Sequence, residues 1–191
     1  MPLAKPIILA VVGMAGSGKS LACQHFANQN LPVIRFGDQT DLGVKAQGLP
    51  LTEANERQYR EKLRQELGMA AYAIKIEPRI KQALKKSPLV ILDGLYSWEE
   101  YLYLKNKFPQ LYLLTIYSQP TTRYQRLTQR KTRPLTPQQA RQRDIDELEN
   151  LNKAGPIAIA DFLVKNHQTP EKLFKKLDKI LTNITRLSRE K

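Results

Sequence analysis

Residues Ile7–Ala27 read "IILAVVGMAGSGKSLACQHFA", and the pattern of this stretch decides the fold class. Six apolar residues, Ile7–Val12, stop at Gly13. A glycine-rich turn follows, and Lys19-Ser20 opens a segment with helical spacing. Hydrophobicity that is continuous rather than alternating marks a strand covered on both faces, as in a parallel sheet. Gly13-Met14-Ala15-Gly16-Ser17-Gly18-Lys19-Ser20 fits G-x-x-x-x-G-K-[ST] without a mismatch. The glycines let backbone N–H groups turn inward around a phosphate chain, and the helix that follows presents its positive end. In that pattern Lys19 reaches the outer phosphates as a point charge and the Ser20 hydroxyl ligates Mg²⁺. Leu21 lies beside them in the first helical turn.

Outward from this loop, two kinds of segment alternate. "PVIRF", "PLVILD", "LYLLTIY" and "ADFLVKN" read as further buried strands. Amphipathic stretches separate them: residues 20–29, 52–86 (with a break expected near Pro78), 97–107, 121–130, 137–151 and 170–187. Five strands divided by helices predict a doubly wound α/β domain with a five-stranded parallel sheet between helical layers. At 191 residues the chain has room for one such domain, residues 1–191. The arginine-rich segment 126–143, with Pro134 and Pro137, is the place for a small basic helical lid.

Lys and Arg number 31 against 18 Asp and Glu, a net charge of +13, so an anionic ligand or partner is expected. Phosphorylated small molecules and nucleic acid both satisfy that expectation. One cysteine, Cys23, excludes an internal disulfide framework, and its place on an amphipathic helix makes it a small core residue. His25 on the same helix reads as structural. Trp98, Tyr101 and Leu102 have helical spacing and read as core packing. No apolar run approaches the ~20 residues that span a bilayer, and the opening residues lack a signal-peptide pattern, so the expected location is cytoplasmic and no membrane is involved.

Further residues extend the phosphate site. "PLVILDG" ends an apolar strand in Asp93, which suits a carboxylate near the water shell of Mg²⁺. A Ras-type GTPase needs an Asn-Lys-x-Asp base reader, and "LNKAG" stops short of one. Motor and AAA-type ATPases are usually larger. A short sheet with a late basic flap instead suits small-molecule kinases, whose lids close over the transferring group and exclude water.

In detail the chain resembles the P-loop nucleoside monophosphate kinase fold. It is most similar to dephospho-coenzyme A kinases and an allied group of uncharacterised kinase-like P-loop proteins. "VVGMAGSGKS" resembles their first motif, "PVIRFGD" the second strand ending in Asp38, and "LVILDG" the third motif. "TTRYQRLTQR" resembles the lid-entry helix, with Arg126 and Arg130 at the matching positions. "AIADFLVKNHQTPEKL" resembles the last strand and its loop, where Asn166 and His167 would edge the adenine. The resemblance implies an ATP-dependent phosphotransferase that uses Mg²⁺, with Arg130 and Arg133 facing the phosphoryl oxygens.

One departure bears on the acceptor. These families commonly place an arginine after the Asp-Gly of the third motif to hold the acceptor phosphate, whereas here Gly94 is followed by Leu95 and Tyr96. A phenol cannot replace a guanidinium's charge-assisted grip. Either the acceptor presents a hydroxyl, with Asp38 taking its proton, or its phosphate is held by Arg35, Arg57, Arg60 or another base. Arg143 and Glu147, four apart in "ARQRDIDELEN", have the spacing of a solvated ion pair, and the Arg-Asp-x-x-Glu pattern of the allied group makes Arg143 a lid candidate. Dephospho-coenzyme A is the first expectation for the acceptor and a nucleoside monophosphate the second. The reading from another class is an ATP-switched nucleic-acid-binding or regulatory protein; it lacks the interleaved aromatic and basic residues of a single-strand platform.

Overall fold

The computed structural model describes residues 6–187; the ends of the expected domain, residues 1–5 and 188–191, lie outside the described residues. Strands β1 (Ile7–Val12), β2 (Val33–Arg35), β3 (Leu89–Asp93), β4 (Leu111–Tyr117) and β5 (Phe162–Lys165) form one sheet in the order β2-β3-β1-β4-β5. Every pairing is parallel. The connecting helices are α1 (Lys19–Asn28), α2 (Asp38–Ala46), α3 (Glu53–Leu67), α4 (Ala71–Leu84), α5 (Trp98–Lys107), α6 (Pro120–Thr128), α7 (Pro137–Glu149), α8 (Ala154–Ala158) and α9 (Pro170–Leu187). Among the described residues no helix is long and apolar enough to cross a membrane.

Alternation along β1 divides its side chains between two cores. Ile8, Ala10 and Val12 join Leu63 of α3, Ile76 and Ile80 of α4 and Leu104 of α5 on one face. Ile7, Leu9 and Val11 join Ala22, Cys23 and Phe26 of α1 and Leu173 and Leu177 of α9 on the other. Each fully buried Leu or Ile contributes roughly 1.5–3 kcal/mol. Both faces are covered, which is why the strand reads as an unbroken apolar run. The central position of β1 also places the loop after it where the chain departs to both sides of the sheet, the usual ligand site of such folds.

Four details differ from expectation or sharpen it. The long stretch 52–86 is two helices, and the break falls at Gly68 (φ +75), whose N–H closes α3 on the Arg64 carbonyl at 2.8 Å. Pro78 lies inside α4 without ending it, because fully buried Ile76 and Ile80 on either side offset the missing hydrogen bond. Trp98 and Tyr101 pack as expected, with ring centroids 5.3 Å apart and Trp98 against Gly155 of α8, but Leu102 is 49% exposed on the outer side of α5. His25 is structural: it stacks on Phe174 at 4.3 Å and bonds the Asp178 carboxylate at 2.7 Å.

Candidate active site

The β1–α1 loop needs glycine at two points for steric reasons. Gly13 has φ +141, and a Cβ there would sit 2.4 Å from the Ile116 carbonyl oxygen. Gly18, at φ +103, would bring a Cβ within 2.2 Å of the Asn166 side-chain amide. Asn166 braces the loop from behind: its Nδ2 donates to the Ser17 carbonyl at 2.8 Å, and its own carbonyl accepts from Ser118 and Arg126. Arg123 of α6 braces the other side. Buried, it donates to the Ala15 carbonyl at 3.1 Å and forks onto Asp144 of α7 at 2.8 and 2.6 Å. Loop and lid helices are thus one braced unit.

The groups that would meet a phosphate are poised rather than spent. Lys19 Nζ donates to the Met14 carbonyl at 3.0 Å. Burial, helped by repulsion from Lys153, pulls Lys19 down to about 7. The Ser17 hydroxyl is buried and has no hydrogen-bond partner among the described residues, which suits an anion coming to the loop.

Two clefts open beside this loop. The smaller, about 440 Å³, is lined by Ala15, Gly16, Gly18, Lys19, Ser20 and Leu21 of the loop and α1, together with Asp93, Arg126 and Lys153. The larger, about 910 Å³, is lined by Thr40 and Asp41 of α2, Arg60 and Arg64 of α3, Tyr72 of α4 and Arg133 of the lid. Arg35, Tyr96, Arg130, Arg143 and Glu147 line both, so the clefts adjoin. The Ser20 hydroxyl and Asp93 carboxylate in the smaller cleft are hard oxygen donors. Such a pair fits a Mg²⁺ that keeps waters and phosphate oxygens as its other ligands. Burial raises the Asp93 carboxyl, and Lys19 opposes the rise. No cluster of three or more His, Cys, Asp or Glu that could cage a metal occurs among the described residues.

Of the other expected residues, Arg126, Arg130 and Arg143 line the clefts, as does Tyr96, whose hydroxyl folds back over Gly94. Arg133, at the lid tip, reaches across the larger cleft to Glu56 of α3 at 2.9 Å. Asp38 is outside both cleft walls. It opens α2 with its carboxylate on Arg79 at 3.2 Å and Arg35 at 3.9 Å. Arg57 is paired with Glu61 on the exposed face of α3, and Arg60 is paired with Glu53 and Glu56. His167 is exposed beside Tyr117, with ring centroids 5.8 Å apart, and lines neither cleft.

The Arg143–Glu147 pair is not a solvated one. Glu147 is buried, and its second oxygen accepts from Lys153 Nζ at 2.6 Å. Lys153, Arg123 and Arg64 escaped the sequence reading. Lys153 sits inside "LNKAG", a stretch whose only local signal is an incomplete base reader, and Arg123 stands three residues before Arg126 in the lid-entry helix with nothing local to set it apart.

A family profile described as an AAA domain matches residues 9–147. A UPF0200 protein of Methanocaldococcus jannaschii is 35% identical over 183 residues, covering 93% of this chain and 90% of that one. The chain belongs to the UPF0200 family. The size argument against AAA-type ATPases does not extend to this profile, which matches residues 9–147 of the chain. Solved structures agree on the fold of this UPF0200 chain. A shikimate kinase from Bacteroides thetaiotaomicron superposes with a TM-score of 0.58 at 15% identity, over 92% of this chain and 98% of that one. A gluconokinase from Sinorhizobium meliloti gives 0.56 at 17%, over 97% and 95%. The P-loop kinase-like α/β fold expected from the sequence is therefore the fold of the UPF0200 chain.

Proposed function

We propose that this UPF0200 protein is a kinase that transfers the γ-phosphoryl group of ATP to a small nucleotide-like acceptor, dephospho-coenzyme A being the first choice. The observation that carries the proposal is the adjoining pair of clefts: one lies on the phosphate loop, and a second, twice its volume, shares five wall residues with it. A kinase needs that arrangement, since donor and acceptor must meet in line while water is kept out.

In this reading loop amides and Lys19 hold the donor's phosphates, while Ser20 and Asp93 hold Mg²⁺. The bound metal supplies neutralisation of charge as it develops on the phosphate oxygens. Arg130 and Arg143, on the shared wall, add positive charge where the phosphoryl group leaves one oxygen for another. The acceptor oxygen forms its bond to γ-phosphorus as the bond from the β,γ-bridging oxygen breaks, and ADP carries away the released charge. A hydroxyl acceptor loses its proton in that step, and Asp38 is the proposed group to take it. Asp38 is held by Arg79, and such contacts commonly rearrange when substrate binds.

A nucleoside monophosphate acceptor is the second reading, favoured by Arg64, which lines the larger cleft and stacks on Tyr72 at 5.5 Å without an ion-pair partner among the described residues. ADP production from ATP and Mg²⁺ with a panel of acceptors tests the proposal. Silence across the panel, combined with nucleic-acid binding whose affinity falls steeply with salt, would transfer the case to an ATP-switched nucleic-acid binder.

A further inference from the structure

Lys153, at the start of α8, is 2% exposed, yet the residue lines the smaller cleft with Lys19, Ser20 and Asp93. Nζ donates to Glu147 Oε2 at 2.6 Å and lies over the Tyr96 ring, 5.3 Å from its centroid. An ammonium has three N–H donors. Glu147 is its one hydrogen-bond acceptor among the described residues, and the ring face takes at most one more donor. At least one donor is left over at the cleft wall.

The charges around it are also unbalanced. Six basic side chains line the smaller cleft, Lys19, Arg35, Arg126, Arg130, Arg143 and Lys153, against the carboxylates of Asp93 and Glu147; Asp144 also attracts Lys153 but is held by both arms of Arg123. Lys19 and Lys153 repel each other, and burial disfavours the charged form of both. A buried ion pair by itself contributes little net stability, and a second ammonium beside it adds cost. An arrangement built only for packing would not place a spare cation next to the lysine of the phosphate loop. A tetrahedral phosphoryl group between the two lysines would accept the unused donors and correct the imbalance.

We propose that Lys153 is a second phosphate-gripping lysine, which contacts the transferring γ-phosphoryl group from the side opposite Lys19, and that Glu147 positions both Lys153 and Arg143 for that contact. Tyr96, neutral and stacked beneath the ammonium, shapes the wall while Lys153 supplies its charge. The inference rests on the kinase reading and adds a residue from outside the loop and the lid helices.

Calorimetric binding of MgADP and of the magnesium complex of the β,γ-imido analogue of ATP separates the two. In Lys153→Met the imido-ATP affinity should fall roughly 10–100-fold, the worth of a charge-assisted hydrogen bond, with MgADP affinity within about threefold. Lys153→Arg should restore part of the loss. Because Lys153→Met takes the donor from the buried Glu147 Oε2 and leaves only Arg143 on Oε1, the double variant Lys153→Met/Glu147→Gln is the fold-preserving control, and it should show the same selective loss. An equal effect on both nucleotides in the folded double variant, or none, would make Lys153 a structural ion-pair partner and overturn this proposal alone. Failure of the wild-type protein to bind either nucleotide would overturn the kinase reading and this proposal with it.

Discussion

The guanidinium of Arg133, at the tip of the lid, donates to the Glu56 carboxylate of α3 at 2.9 Å and so bridges the mouth of the larger cleft. Arg133 adopts a left-handed backbone conformation to do so, with φ +50. The Arg133 side chain is 64% exposed while that of Glu56 is 10% exposed. Solvent screens such a half-open pair, so the latch is worth only about 1 kcal/mol or less. Amide exchange across residues 131–139 should therefore be fast without nucleotide, faster still in Glu56→Gln or high salt, and slowed by MgATP. Exchange in that segment as slow as in β4, with no ligand present, would argue against a closing lid.

Lys19→Ala should remove nucleotide binding and phosphoryl transfer while leaving the melting temperature close to that of the wild type. The ammonium makes one hydrogen bond, to its own loop, and is depressed by burial, so the fold does not depend on its charge. Turnover that survived the substitution would remove the kinase reading.

Much of this was legible because it is local. A strand buried on both faces must be continuously apolar, and a backbone that wraps phosphate must carry glycines, so β1 and Gly13–Ser20 announced themselves. Helix α2 did not, since only Thr40 and Val44 of its residues are buried and so thin a stripe looks like turn chemistry in "GDQTD". Gly68 was a quieter breaker than Pro78 in the same amphipathic stretch, and burial of the isoleucines around Pro78 reversed their order of importance. Arg123 and Lys153 were hidden for a different reason. Their roles exist only once α6 meets α7 and the turn into α8 folds back on α7, and a lone charged residue carries no sign in sequence of which carboxylate it will find.

Glu100 offers a test by pH. It is 1% exposed and accepts the amides of Tyr96 at 2.6 Å and Ser97 at 3.2 Å, closing the capping box of α5. Burial outweighs those bonds and raises its carboxyl to about 7, against 4.5 for an ordinary glutamate. Between these values the folded protein holds more protons than the unfolded chain, so this group's contribution to stability falls as pH rises through the window. Glu100→Gln should flatten that decline and gain on the order of 2 kcal/mol relative to the wild type between pH 5 and pH 7.5. Urea unfolding at both values measures it, and parallel curves for the two proteins would contradict the raised carboxyl.

Asp38 decides the acceptor. If the acceptor presents a hydroxyl, its proton must leave as the oxygen attacks, and a positioned base contributes ~10²–10⁴-fold. Asp38→Asn keeps the shape and an acceptor oxygen toward Arg79 but removes the charge. Turnover at saturating acceptor should then fall by about that factor, with ATP affinity unchanged because Asp38 lies outside the nucleotide cleft. Arg79→Met separates a base from a mere partner of arginine. Freed of its 3.2 Å contact, a base still takes its proton and turnover persists, whereas a carboxylate that serves only to hold Arg79 and Arg35 in place would make both substitutions equivalent. Full turnover in Asp38→Asn, accompanied by a raised KM for the acceptor, would assign Asp38 to positioning Arg35, which lines both clefts. It would also shift the acceptor from a hydroxyl to a monophosphate, whose attacking oxygen is already anionic and needs no base.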